Sequence, residues 1–234
     1  MRVTHKLVAI ALAAASMLAL GGCAGSLPPA EPALIAKSST LFIGDSYTHG
    51  RGASQAPDRW TSLVSAAEGW HEHNVGRGGS GYVASAKKGG CSIVHCDIYT
   101  KVIRRNVYMH PDRVVIAGGQ NDLPAFKSDP KMVLDAIDET FALARATFPN
   151  AEIIAIGPSN LTDADPGRVA IDADVQRAAA LVDARYVSLL NPLVITSKWE
   201  LTGDGHVNDY GHAAIAARVI AALADSRVLT ASGH

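Results

Sequence analysis

The chain has 234 residues, 48% of them hydrophobic, and 21 Lys and Arg against 22 Asp and Glu give a formal net charge of −1 at pH 7. That length suits one domain, or one domain plus a targeting segment, with ample apolar content for a core. Charge is spread without a basic stripe or a block of one sign, which excludes a nucleic-acid footprint, and past the N-terminus no apolar run is long enough to span a bilayer.

The first 22 residues read as an export signal. Arg2, His5 and Lys6 form a basic start, Leu7 to Leu20 is almost wholly apolar, and Leu20-Gly21-Gly22-Cys23 follows. A basic region, an apolar stretch shorter than a comfortable spanning helix and small residues at its end make a secretory signal. The small residues before Cys23 resemble the bacterial lipobox, in which the signal is cut before the cysteine and that cysteine carries lipid; ordinary cleavage near Ala24 is the alternative. Residues 23–38, with Pro28, Pro29 and Pro32 and little periodicity, read as a flexible tether, and one domain is expected over residues 39–234. The protein is thus expected to be exported and lipid-anchored on the extracytoplasmic side of a membrane. In that setting Cys91 and Cys96 read as a disulfide closing a short loop. A metal site would want more ligands, and His95 is the nearby candidate.

Ser39 to Ile43 is the first expected strand, and it stops at Gly44-Asp45-Ser46. Pro57-Asp58 opens a helix with Trp60, Leu63, Val64 and Ala67 on one face; Trp60 reads as core. His71 to Val75 is a second strand, running into the glycine-rich stretch Gly76 to Gly81. Its spacing contains G-x-G-x-x-G, but a dinucleotide loop belongs after the first strand and opens a clear helix, so a nucleotide-binding protein is discounted. Ile98 to Val107 is expected to be helical. Arg113 to Ala117 is a third strand ending in Gly118-Gly119-Gln120-Asn121-Asp122. Asp129-Pro130 opens a helix to about Phe148 with a buried stripe of Met132, Ala136, Ile137, Phe141 and Ala144. Strands at Glu152 to Ile156 and Arg185 to Leu189, and helices at Arg168 to Val182 and Tyr210 to Leu223, complete the chain. The alternation implies an α/β fold, a central, mostly parallel five-stranded sheet between two helical layers.

Strand ends of such a sheet are where ligands sit, and Ser46 follows the first strand directly. The loop Thr202 to His212 supplies two histidines and two aspartates. A serine nucleophile needs a histidine within hydrogen-bond reach, and the histidine needs a partner that fixes its tautomer.

Four blocks in this order resemble the SGNH (GDSL-type) hydrolase family of serine esterases and lipases. Gly44-Asp45-Ser46 is similar to the first block, Asn74 to Gly79 to the second, Gly119-Gln120-Asn121-Asp122 to the third, and His206 with Asn208, Gly211 and His212 to the last. The resemblance implies a flavodoxin-like three-layer α/β/α sandwich and ester cleavage through a covalent acyl-enzyme. Ser46 is then the nucleophile and His206 the base. The backbone N–H of Ser46, that of Gly79 and the side-chain amide of Asn121 form the oxyanion hole, where losing one donor typically costs about 3–4 kcal/mol. The family usually has Asp three residues before the catalytic His; that position is Gly203 here, and Asp204 is read as the partner of His206, with a backbone carbonyl the alternative. Asp209 stands at the usual spacing from His212, but in the wrong surroundings. Asp45 and Asp122 read as supporting groups, and Arg51 and Arg77 as loop residues flanking the site. No metal or organic cofactor is implied. The expected substrate is an acyl or O-acetyl ester on glycan or lipid; the competing reading is a non-catalytic glycan-binding lipoprotein that keeps the fold.

Overall fold

The structure, a computed structural model, describes residues 38–85, 97–162, 165–201, 203 and 205–231, with side chains up to Asp225. The expectations placed on the signal and tether (residues 1–37), Cys23, Cys91, Cys96 and Asp204 therefore lie outside the described residues.

Five strands form one sheet: β1 (Ser38–Gly44), β2 (Trp70–Asn74), β3 (Arg113–Ala117), β4 (Glu152–Ile156) and β5 (Arg185–Val187). Their order is β2-β1-β3-β4-β5. Every ladder is parallel, with Phe42 opposite Asn74 on one side of β1 and Gly44 opposite Ala117 on the other. β1 is an interior strand buried on both faces, so it reads as a continuous apolar run rather than an alternation. Leu41, Phe42 and Ile43 are fully buried.

The side chains of β1 and β3 feed two cores. Leu41, Ile43, Val114 and Ile116 pack under α3 (Tyr99–Arg105), α5 (Pro130–Thr147) and α6 (Pro166–Leu181), against Val102, Ile137, Phe141 and Val175. Phe42, Val115, Ile154 and Ile156 face the other way, onto α2 (Trp60–Glu68) and α7 (Asp209–Ala231), against Trp60, Val64, Ile215 and Val219. This is the expected three-layer α/β/α sandwich. Each of these buried side chains is worth about 1.5–3 kcal/mol against exposure. Trp60 is core, as expected, with its ring edge-on to Phe42 at 5.7 Å.

Local expectations needed several corrections. Pro57 and Asp58 sit in a short 3-10 turn, Ala56–Asp58, and Arg59 is extended, so α2 starts at Trp60. Thr61 and Ser65, rather than the exposed Ala67, share its buried side with Trp60 and Val64. In α5, Asp129 caps the first turn by accepting from Met132 N at 3.1 Å. Val133 and Thr140 take the buried places on either side of Ile137, and Met132 is 45% exposed. β5 ends at Val187, two residues early, because the Ser188 hydroxyl turns the chain by accepting from the N–H groups of Leu190 and Asn191.

Strand order reverses between β1 and β3: β2 lies on one side of β1, and β4 and β5 lie beyond β3. A crevice opens at the carboxyl ends of the strands at such a switch point. Ser46 leaves the end of β1 and Asn121 the end of β3, so topology alone aims both at one place.

Candidate active site

Ser46 is the first residue of α1 (Ser46–His49), which follows β1 after a single intervening residue. That sharp strand-to-helix turn requires Gly44, where an added Cβ would lie 2.2 Å from Thr48 Oγ1 and 2.6 Å from the Ala117 carbonyl. Asp45 caps the turn, its Oδ1 accepting from Tyr47 N at 2.9 Å. As the opening residue of a helix, Ser46 also presents a backbone N–H without an intrahelical acceptor.

His206 comes from the loop before α7, and its Nε2 lies 2.8 Å from Ser46 Oγ. For Nε2 to accept the serine proton, the imidazole carries its hydrogen on Nδ1. Asp204, expected to receive that hydrogen, is outside the described residues. The backbone around His206 is firmly held. Its carbonyl accepts from Leu201 N at 2.8 Å. Glu200 Oε1 accepts from Gly205 N at 3.0 Å. The Tyr47 hydroxyl donates to the Gly205 carbonyl at 2.9 Å, and its ring lies 5.5 Å from the imidazole.

Asn121 lines the same cleft. One hydrogen of its amide is anchored on the Ser80 carbonyl at 2.9 Å, which leaves the second to point elsewhere. Ser80 belongs to the glycine-rich loop, and its hydroxyl donates to the Arg77 carbonyl at 2.8 Å. Gly79 adopts φ +75° just before it, backbone geometry that favours glycine. Gly79 does not line the cleft, which contains Ser46, Tyr47, Gln120, Asn121, Ser159, Asn160, Leu161, Arg168, Gly205 and His206 and measures about 240 Å³. Residues 75–85 contain no helix.

Other expected residues have structural jobs. The Asp122 carboxylate, fully buried, accepts from the N–H groups of Tyr82, Val83 and Ala84 at 2.8–3.0 Å and so shapes the loop that presents Ser80. Burial pushes its carboxyl up, and those three hydrogen bonds oppose the shift. Asn74 ties β2 to α1, donating to the Thr48 carbonyl at 2.6 Å and accepting from Gly76 N at 2.9 Å. Asp209 and His212 are not an alternative to the Ser46 and His206 pairing. Asp209 accepts from the N–H and hydroxyl of Ser54, each at 2.7 Å. His212 is fully buried; Trp60 N–H donates to its Nδ1 at 3.4 Å, which places the ring hydrogen on Nε2, 3.1 Å from the Arg51 carbonyl. Neither Arg51 nor Arg77 lines the cleft; the Arg77 guanidinium donates to the Gly76 carbonyl at 2.9 Å.

Tyr47, Glu200 and Arg168 were missed from the sequence. Tyr47 acts through a contact with Gly205, 158 residues away, and Glu200 through one with the same residue five positions along its own loop. Arg168 did carry a signal: a cation in the first turn of a helix runs against the helix dipole, and its helix follows a strand end.

Among the described residues, no cluster of three or more His, Cys, Asp or Glu side chains is placed to hold a metal ion. The arrangement is that of a nucleophilic hydroxyl against an imidazole base, with amide donors beside it. The GDSL lipase Rv0518 of Mycobacterium tuberculosis is 29% identical over 186 residues, covering 76% of this chain and 78% of that protein. Among solved structures, TesA superposes with a TM-score of 0.61 at 19% identity, covering 80% of this chain and 98% of that one. Est24, a carbohydrate acetylesterase from Sinorhizobium meliloti, gives 0.59 at 16% identity, covering 81% and 99%. At these identities the structures show the fold. The family model of the GDSL-like lipases and acylhydrolases matches residues 42–214, from β1 to the first turns of α7, and the chain belongs to that family.

Proposed function

We propose that the protein cleaves acyl or O-acetyl esters through a covalent acyl-enzyme on Ser46. The observation that carries this reading is the 2.8 Å contact between Ser46 Oγ and His206 Nε2 at the open end of the sheet. Ser46 Oγ attacks the ester carbonyl and its proton passes to His206 Nε2. The tetrahedral oxyanion is met by the N–H of Ser46 and the free hydrogen of the Asn121 amide, and the family resemblance assigns the N–H of Gly79 as a third donor although Gly79 is not among the residues that line the cleft. Collapse breaks the bond to the alkoxide, which takes the proton from His206. Water, deprotonated by the same imidazole, then releases the acid. Asp204 is assigned to the Nδ1 side of His206. None of these steps calls for a metal or an organic cofactor.

The lining of the cleft supports a small polar substrate. Gln120, Asn121, Ser159, Asn160 and Arg168 outnumber its apolar members, which suits an acetylated sugar better than a long acyl chain. The relatives by fold include a carbohydrate acetylesterase and a two-domain esterase active on acetylated mannans. The N-terminal sequence supports export and anchoring through lipid on Cys23, with Cys91 and Cys96 paired in that oxidising setting.

The test is hydrolysis of p-nitrophenyl esters from acetate to palmitate by the purified protein, with Ser46→Ala alongside and a fluorophosphonate as covalent label. Turnover and labelling that both disappear in Ser46→Ala are expected, with short esters preferred. A folded wild type that neither turns over any ester nor takes the label would replace this reading with that of a glycan-binding protein.

A further inference from the structure

Arg168 lies in the first turn of α6, where the helix dipole disfavours a cation and no acidic residue of that turn offsets it. Helix stability therefore does not account for it. Its Nη1 donates to the Ser159 carbonyl at 2.9 Å, and the half-buried side chain lines the cleft that holds Ser46 and His206. That bond uses one of the five N–H groups of the guanidinium. Among the described residues, no carboxylate lies within ion-pair distance of it.

The acidic groups around it are already committed. Asp165 is paired with Lys127 at 2.7 Å and accepts from Gly167 N at 2.8 Å. Asp45 is buried, and burial pushes its carboxyl up to about 7. The Tyr47 phenol, pushed up to about 12 by burial, stays neutral. Glu200 is engaged with Gly205 N. Burial pulls the Arg168 guanidinium itself down, and the charges of Tyr47, Asp165 and Asp45 oppose that only in part.

A half-buried guanidinium that is unpaired among the described residues, beside a nucleophile, is completed by an anion arriving from solution. We infer that Arg168 is a specificity-determining residue that selects esters carrying a carboxylate or similar oxyanion close to the scissile bond. The inference rests on the hydrolase reading above and narrows its substrate class to acidic esters. The planar fork receives both oxygens of such a group at once, and it does so in a cleft where the field of the guanidinium is less screened than in open water.

The experiment compares kcat/KM for two matched pairs of esters. One pair places the charge on the acyl side: mono-p-nitrophenyl glutarate and the methyl ketone of the same length. The other places it on the alcohol side: para-acetoxybenzoate and para-acetoxybenzamide. Wild type, Arg168→Gln, Arg168→Lys and Ser46→Ala are assayed as purified full chains, with thermal melts as the check on folding, and Ser46→Ala defines the background. In at least one pair the wild type favours the charged ester by roughly ten- to hundredfold. Arg168→Gln brings that ratio close to one, Arg168→Lys keeps part of it, and rising ionic strength erodes it in the wild type. If Arg168→Gln fails to fold, the Lys variant and the salt dependence carry the comparison. Ratios that are the same in wild type and the Arg168 variants, with all turnover still lost in Ser46→Ala, overturn the anion selection and leave the hydrolase standing. Turnover that does not depend on Ser46 overturns both.

Discussion

The hydroxyl of Tyr47 donates to the carbonyl of Gly205 at 2.9 Å, joining the residue after Ser46 to the residue before His206. Two loops from opposite ends of the domain are thus fixed at the point where serine and imidazole must meet. The tie is reinforced from the far side by Glu200, which holds Gly205 N.

Tyr47→Phe removes that tie and keeps the ring against His206. The lost hydrogen bond costs about 1 kcal/mol of stability, a small drop in Tm. The effect on rate is larger, because small losses of alignment between nucleophile and base are amplified in the transition state. The expected outcome is a fall of roughly tenfold in kcat with KM little changed. Steady-state kinetics on p-nitrophenyl acetate check it, and a kcat equal to that of the wild type shows that the Tyr47 hydroxyl does not position His206.

Asp122 is a stability residue that sits next to a site residue. Its carboxylate satisfies three backbone N–H groups, those of Tyr82, Val83 and Ala84. Asp122→Ala leaves these donors without their acceptor, at about 1–3 kcal/mol for each one that stays buried. A loss of more than about 3 kcal/mol in urea unfolding is expected, together with loss of activity as the Ser80 carbonyl releases Asn121. Asp122→Asn keeps one acceptor oxygen and falls between the two. Equal stability of Asp122→Ala and wild type contradicts the role.

The frame of this protein was readable in advance because its strands are short apolar runs closed by turn residues. Arg113–Ala117 and Glu152–Ile156 are bounded in the sequence by Pro111-Asp112, Pro149-Asn150 and Gly157-Pro158, and the structure places both strands there. The Ser46 and His206 pairing came from the resemblance of four sequence blocks to the SGNH family, with Ser46 directly after the first strand. What could not be read was the support. Helical spacing put Met132 in the stripe of α5, yet the surface it would have covered is filled by Val133 and Thr140, a choice made by a few tens of degrees of helix rotation. Tyr47 gains its role from a contact 158 residues away, for which a linear sequence holds no period. The second Asp and His pair, Asp209 and His212, had the more usual spacing; only packing shows that His212 is turned into the core against Trp60.

The buried acid beside the nucleophile makes stability depend on pH in an unusual direction. Desolvation by burial raises the Asp45 carboxyl from 3.8 to about 7, helped by the nearby charge of Asp122 and opposed by the Tyr47 N–H. Between those two values the folded protein holds a proton that the unfolded chain has released. Stability therefore falls as pH rises through that window, by on the order of 4 kcal/mol in total, and stays at the lower level above it. Asp45→Asn keeps an oxygen for the Tyr47 N–H and cannot ionise, so its stability near pH 8 is expected to exceed that of the wild type, and the two should converge near pH 4. His212 works in the opposite sense. Its imidazole is pulled down, chiefly by burial, so its contribution is intact above the ordinary histidine value of about 6.5 and is lost as pH falls below it. Urea titrations of both proteins across pH 4–8 separate the two effects, since the difference between wild type and Asp45→Asn contains the Asp45 part alone. A difference that does not change with pH shows that Asp45 ionises in the folded protein much as it does in the unfolded one, and that the turn before Ser46 carries a carboxylate at every working pH.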